Sequence, residues 1–276
     1  MKRRALLLAI LLCISSAAHA DDETLRKASC YIRAYPDFFI AYKEGYLITK
    51  DGRRITFDSR IRSKDYDRMV VDRHVGDDRF NPEDALYWNY RARSEIPTVE
   101  KPPIGDPGRI RPAAIFGYMY GTTRAQRMKR MRPVHWVGPG AGGGNIIFVT
   151  TVNGVDKALE EVAREIRNLP EDKKKDLEGI VLDPDACSGY CDRPVRCYPH
   201  RTSAHAYGIA VDVNEDMSFF VGSHRGEPYR YRNNMPQFLV DIFERHGFIW
   251  GGRWHSYDIM HFEYRPELLL NDNGCS

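Results

Sequence analysis

No stretch beyond residue 14 approaches the roughly 20 consecutive apolar residues that a membrane-spanning helix requires, and the chain shows no internal repeat. Basic excess is also missing once the first twenty residues are set apart. Three of the 41 Lys and Arg lie there and none of the 38 Asp and Glu, so the remainder is formally neutral. A nucleic-acid partner, which calls for a basic face, is therefore not expected. The locally basic run from Arg124 to Arg132 reads as a solvated helix face. The glycine run Gly138-Pro-Gly-Ala-Gly-Gly-Gly144 lacks the Lys and Ser/Thr of a phosphate-binding loop, which leaves flexibility or tight turning as its account. The spacing Cys187-x3-Cys191-x5-Cys197 fits no common zinc-ribbon pattern. Cys13 follows Leu12 where a lipoprotein site needs a small residue.

What is present begins with a leader. Lys2, Arg3 and Arg4 precede an apolar run from Ala5 to Ile14, and Ala18-His19-Ala20 has the small residues of a cleavage site. Residues 1–20 thus read as a secretory signal peptide, and the protein as exported, periplasmic or extracellular. An oxidising compartment makes disulfides the default for Cys30, Cys187, Cys191, Cys197 and Cys275. One bridge is expected within the 187–197 cluster, and the odd count leaves the connectivity open.

Tyr46 to Phe57 reads as a β-hairpin turning at Asp51-Gly52, where the pair supplies positive φ between two β-prone runs. From Asp58 to Pro107 the chain is charged and broken by prolines, which suggests loops and short helices wrapping a core. The expected organisation is an N-terminal extension over 21–104 and a single domain over 105–276. Within the latter, Asn153 is placed to cap a helix whose Val155, Leu159, Val162, Ile166 and Leu169 recur at three and four residues before Pro170 ends it. A second helix starts at Pro236 and stops at Gly247. Ile259 to Tyr264 reads as a strand with His261 and Glu263 on one face.

The chemistry-bearing residues gather in two places. In Ser203-Ala-His205-Ala-Tyr-Gly208-Ile-Ala-Val-Asp212, alternation puts Gly208, Ala210 and Asp212 on one strand face and Ile209, Val211 and Val213 on the other. On a fully extended strand His205 and Asp212 would lie about 23 Å apart, too far for two ligands of one ion. The chain must bend between them, and Gly208 is the natural hinge. His261 supplies a third candidate ligand. Three protein ligands with one position left open is the pattern of a catalytic zinc, and Asp258, three residues before His261, suits a general base.

Ser203-x-His205-x6-Asp212 followed by Asp258-x-x-His261 resembles the VanY-type D-alanyl-D-alanine carboxypeptidase family of zinc metallopeptidases, which also includes phage L-alanyl-D-glutamate endopeptidases. The resemblance extends to Gly208, Ala210, the Gly247-Phe-Ile-Trp-Gly-Gly252 turn, Trp254 and His261-Phe-Glu263, a motif core over residues 190–265. Upstream pieces, among them Asp106-Pro-Gly-Arg-Ile-Arg111, are similar to those of longer members. The resemblance implies an α+β domain with a small antiparallel sheet flanked by helices. It implies one zinc ion held by His205, Asp212 and His261, with Asp258 as the catalytic base. It also implies a cation that polarises the scissile carbonyl; Arg193 is the best positional match, with Arg196 and Arg201 nearby. Ser203, Trp254 and Tyr257 are candidate substrate-binding residues, and peptidoglycan stem peptides the expected substrate. Trimming a terminal D-alanine, cutting within the stem, and a zinc-bearing binding module without activity are the readings to separate. The third has no use for Asp258.

Overall fold

A computed structural model of the protein describes residues 22–59, 61, 65, 68–69, 72, 74–137, 146–177, 189–195, 198–213, 228–272 and 274–275. The expected leader at 1–20, the glycine run at 138–144, Cys187, Arg196 and Cys197 lie outside the described residues.

The two ends of the described chain are tied together. Helix α1 (22–34) carries Cys30, which forms a disulfide with Cys275. Arg26 of α1 donates to the backbone and side-chain oxygens of Asn271 at 3.3 and 3.0 Å. Tyr31 and Tyr35 enter the main core with Phe39 and Phe57. Strands β1 (Phe39–Lys43), β2 (Tyr46–Thr49) and β3 (Arg54–Thr56) pair antiparallel in that order. The β2–β3 connection is the expected Asp51-Gly52 turn. Only Gly52 takes a positive φ there (81°), while the Asp51 carboxylate accepts from the Thr49 hydroxyl at 2.5 Å. The proline-broken stretch that follows includes 3₁₀ turns at Asp77–Arg79 and Pro82–Leu86.

Helix α2 (Ala113–Tyr120) buries Ile115, Phe116, Met119 and Tyr120, and strands β4 (Met131–His135) and β5 (Ile146–Thr150) form an antiparallel pair. The basic run from Arg124 to Arg132 is solvated along most of its length: Arg124, Gln126, Met128, Lys129 and Arg132 are exposed, and Arg127 alone of the run is buried. Arg127 reaches Asp192 at 2.6 Å, Arg130 donates to the Met119 carbonyl at 2.6 Å, and Arg132 contacts Asp156 and Glu160 at 2.8 and 2.7 Å. The acids come from distant parts of the chain, so no local pattern displays these pairings.

Helix α3 (Val155–Arg167) buries Val155, Leu159, Val162 and Ile166, as its spacing requires. Asn153 does not cap it. Asn153 and Gly154 both adopt left-handed backbone, φ 58° and 71°, and the Asn153 amide donates instead to the Tyr120 hydroxyl at 3.0 Å.

Strands β6 (Pro194–Val195) and β7 (Tyr198–Thr202) form a short antiparallel pair that leads through the one-turn helix α4 (Ala204–Tyr207) into β8 (Ala210–Asp212). Helix α5 (Gln237–Arg245) begins after Pro236, and the chain turns at Gly247 (φ 90°) into β9 (Phe248–Trp250). Strand β10 (His261–Tyr264) lies between β8 and β9, antiparallel to both, and helix α6 (Pro266–Asp272) follows. Alternation along β10 decides what each face does. Phe262 stacks on Phe243 of α5 with ring centroids 3.8 Å apart, and His261 and Glu263 meet on the opposite face, 3.3 Å apart. The fold is α+β, with small antiparallel sheets flanked by helices. Among the described residues, no helix is long and apolar enough to cross a membrane.

Candidate metal and catalytic site

Sheet register delivers two of the three candidate ligands. His261 on β10 sits directly opposite Asp212 on β8. The third arrives by α4: the Ser203 hydroxyl accepts the His205 backbone N–H at 3.3 Å, capping the turn, and Gly208 ends it in the left-handed region (φ 71°). A Cβ on Gly208 would lie 2.6 Å from Met131 Sδ and 2.9 Å from the Thr150 nitrogen, so both its conformation and its lack of a side chain are needed. The bend demanded by the sequence is therefore real. A helical turn makes it, rather than a kinked strand.

His205, Asp212 and His261 each offer a ligand atom, and these atoms lie within 4.8 Å of one another. The outer nitrogens fix which atoms face inward. His205 Nδ1 lies 2.7 Å from the Gly189 carbonyl, to which it can only donate, so in the neutral ring that a metal would take the lone pair is on Nε2. That Nε2 is buried, 3.2 Å from Asp212 Oδ2, and has no hydrogen-bond partner among the described residues. His261 presents Nδ1 to Asp212 Oδ1 at 2.8 Å and Nε2 to Glu263 Oε2 at 3.3 Å. Two imidazole nitrogens and a carboxylate converging around an orphaned buried lone pair form a donor set that fits one zinc ion.

The electrostatics agree. Burial opposes charge on Asp212, but His205 and His261 overcome it and hold the carboxyl far below its ordinary range. Burial likewise opposes charge on His261, yet hydrogen bonds to Asp212 and Glu263 and the nearby Asp258 carboxylate raise its pKa to about 9. The pocket thus stabilises a positive charge between its side chains, which a proton or a metal cation can supply.

Glu263 is fully buried and held from three sides. Arg111 donates to both of its oxygens, through Nε at 2.8 Å and through Nη2, and Arg265 Nη1 lies 3.1 Å from Oε1. Arg265 also donates to the carbonyls of Gly108 and Ile110 at 2.9 and 3.1 Å. Its Nε meets Glu267, whose other oxygen accepts the Tyr35 hydroxyl at 2.6 Å. One network therefore runs from Tyr35, just past the end of α1, to the outer nitrogen of a candidate ligand.

Asp258 stands at the mouth of β10. Its N–H donates to the Gly251 carbonyl at 3.0 Å, and its own carbonyl accepts from His261 N–H at 3.1 Å. Its carboxylate Oδ1 is buried with no hydrogen-bond partner among the described residues.

Residues 198–264 match the family model described as D-alanyl-D-alanine carboxypeptidase. The matched stretch contains the three candidate ligands, Asp258, Ser203, Trp254 and Tyr257, and excludes Arg193. No curated protein and no solved structure matches the chain.

The remaining expected site residues separate by position. The Arg193 carbonyl accepts the Ser203 N–H at 3.2 Å, which seats it beside the His205 turn, and among the described residues its half-buried guanidinium has no polar partner. Arg201 is committed elsewhere: it is buried and donates to the carbonyls of Val75, Met69 and Asp72 at 2.9, 3.0 and 3.3 Å, fastening the N-terminal segment to β7. Tyr257 is buried with its hydroxyl donating to the Arg230 carbonyl at 2.8 Å, and Trp254 is buried with its ring centroid 5.4 Å from that of His261. Cys191 is disulfide-bonded, to a partner outside the described residues.

One neighbour of the site escaped the sequence reading. Arg109 lies over the Trp254 ring at 4.1 Å, donates to the Ser256 carbonyl at 2.5 Å, and has Nη2 4.0 Å from Asp258 Oδ2. Its only signal was membership of Asp106-Pro-Gly-Arg-Ile-Arg111. That segment works on two sides: Arg111 holds Glu263, while Asp106 Oδ1 accepts from both the Ser256 N–H and the Ser256 hydroxyl at 2.7 Å.

Proposed function

We propose that the protein is a zinc-dependent peptidase that hydrolyses an amide bond in peptidoglycan stem peptides, of the D-alanyl-D-alanine carboxypeptidase type. The observation that carries the proposal is the convergence of His205 Nε2, Asp212 and His261 Nδ1 beside Asp258, whose Oδ1 is buried without a hydrogen-bond partner among the described residues, within the stretch that matches the carboxypeptidase model. His205, Asp212 and His261 would hold the ion. When bound, the ion supplies Lewis acidity toward the scissile carbonyl and lowers the pKa of water at the site.

The protein's own groups do the rest. Asp258 accepts a proton through its free Oδ1 as water attacks, and returns it to the leaving amine. Arg193, on the His205 side with its donors uncommitted among the described residues, stabilises the negative charge that develops on the carbonyl oxygen, a contribution of about 3 kcal/mol in comparable sites. Gly189 and Glu263 hold the two imidazoles in the tautomers that direct a lone pair inward. A module that only binds zinc has no use for a carboxylate beside the ligands whose Oδ1 accepts no hydrogen bond among the described residues, which favours an enzyme.

The test is digestion of defined muropeptides by the purified protein, with and without chelator, and identification of the products by mass. Chelator-sensitive release of free D-alanine is the expected result. An internal cut between L-alanine and D-glutamate would replace the carboxypeptidase with the endopeptidase, and intact substrate with metal bound would overturn both.

A further inference from the structure

Arg109 is half-used. Its guanidinium is fixed from two directions, by the Trp254 ring beneath it and by the Ser256 carbonyl. Ser256 is in turn pinned by Asp106. Among the described residues the Nε of Arg109 is nevertheless buried with no hydrogen-bond partner, and Nη2 approaches Asp258 Oδ2 only to 4.0 Å. A buried donor without an acceptor is costly, and a planar fork held rigid beside the candidate base is preorganised for a planar anion. The fork is on the Asp258 side of the site, whereas Arg193 is beside the His205 turn.

We infer that Arg109 binds the α-carboxylate of the residue on the leaving side of the scissile amide, and so restricts the enzyme to substrates that carry one. The inference rests on the proposed peptidase reading, in which Asp258 protonates the leaving amine. In an α-amino acid the carboxylate oxygens lie about 3 Å from the amine nitrogen. A nitrogen hydrogen-bonded to Asp258 therefore brings its own α-carboxylate within reach of a cation 4.0 Å from Asp258. The same chemistry covers both stem-peptide bonds. The terminal D-alanine leaves with a free α-carboxylate, and a D-glutamate continued through its γ-carboxyl also keeps its α-carboxylate free. Arg109 reads the group common to the two, and the choice between them lies elsewhere.

The test compares each acyl dipeptide with its α-carboxamide: N-acetyl-D-alanyl-D-alanine against its amide, and N-acetyl-L-alanyl-D-glutamate against the isoglutamine form. Hydrolysis by the metal-loaded protein should favour the carboxylate member of the cleaved pair by about 10- to 100-fold in kcat/KM, the range of a charge-assisted hydrogen bond. Arg109→Gln should collapse this ratio toward one, and Arg109→Lys should restore part of it. The ratio is taken within each variant, so it does not depend on the fraction that folds. Binding of the same pairs to metal-free protein, followed by NMR titration, should show the same preference and the same loss in Arg109→Gln. Equal cleavage of carboxylate and carboxamide by the unaltered protein would overturn the role of Arg109 and leave the peptidase standing. Failure to hydrolyse any of the four would overturn the peptidase reading. A carboxylate preference that survives in Arg109→Gln would assign the carboxylate to another group.

Discussion

Glu263 Oε2 lies 3.3 Å from His261 Nε2 on one face of β10, and the Glu263 side chain has no exposure to solvent. The carboxylate that orients a candidate ligand is thus also the anion between two buried arginines. Glu263→Gln is expected to weaken metal binding by about 10- to 100-fold, the usual effect of losing an outer hydrogen-bond partner of a ligating histidine. It should also destabilise the fold by about 3 kcal/mol or more, because Arg111 keeps its buried charge without the anion that balances it and Arg265 is left with Glu267 alone. Competition with a chromophoric chelator and thermal melts read the two effects separately.

Acid stability follows from the same group. Burial favours the neutral form of Glu263, but Arg111, His261 and Arg265 outweigh it and hold the pKa well below the ordinary carboxylate range. A folded pKa below the unfolded one contributes stability that is complete above about pH 4.3 and is lost as pH falls through the folded value. Urea titrations of the unaltered protein should show a steep loss of stability below pH 4, and Glu263→Gln should flatten it.

Metal uptake should be proton-linked. With His261 at about 9 in the metal-free protein, binding at Nδ1 must expel a proton. Near pH 7, calorimetry in buffers of different ionisation enthalpy should find about one proton released per ion, falling toward zero above pH 9. The sign also applies to stability. A raised histidine pKa stabilises the metal-free fold fully below about pH 6.5, and that contribution disappears as pH rises through about 9.

Gly208→Ala should damage fold and site together. Alanine at φ 71° is strained, and its Cβ would meet Met131 Sδ and the Thr150 nitrogen. The expected cost is about 1 to 3 kcal/mol. Metal affinity should fall too, since this residue returns the chain from His205 to Asp212. A variant with unchanged melting and unchanged affinity would refute the hinge.

The Cys30–Cys275 bridge closes a sequence separation of 245 residues and ties α1 to the segment beyond α6. Cys30→Ser with Cys275→Ser is expected to cost about 2 to 5 kcal/mol. Melts of the double variant, and of the parent protein with and without reductant, measure it.

That His205, Asp212 and His261 come together was legible in the sequence through residue type, the family resemblance and the 23 Å problem, which forced a bend at a glycine. The amphipathic spacings of α3, α5 and β10 were legible too. Arg109 and Arg111 were not. Their partners Ser256 and Glu263 stand 147 and 152 residues away, and an arginine in a loop carries no mark of which distant acid or carbonyl it will meet. Arg201 looked like a candidate cation because it is close to the motif in sequence. Its donors turn instead to the carbonyls of Met69, Asp72 and Val75. Asn153 looked like a cap because its residue type suits one, but the Tyr120 hydroxyl competes for its amide.

The most direct measurement is a zinc titration of the metal-free protein that follows hydrolysis of a D-alanyl-D-alanine peptide alongside bound metal, with Asp258→Asn in parallel. Activity should rise linearly to one equivalent of zinc and then stop, while Asp258→Asn binds the same single equivalent and turns over at least about 100-fold more slowly. Hydrolysis without metal, or full turnover by Asp258→Asn, would contradict the site.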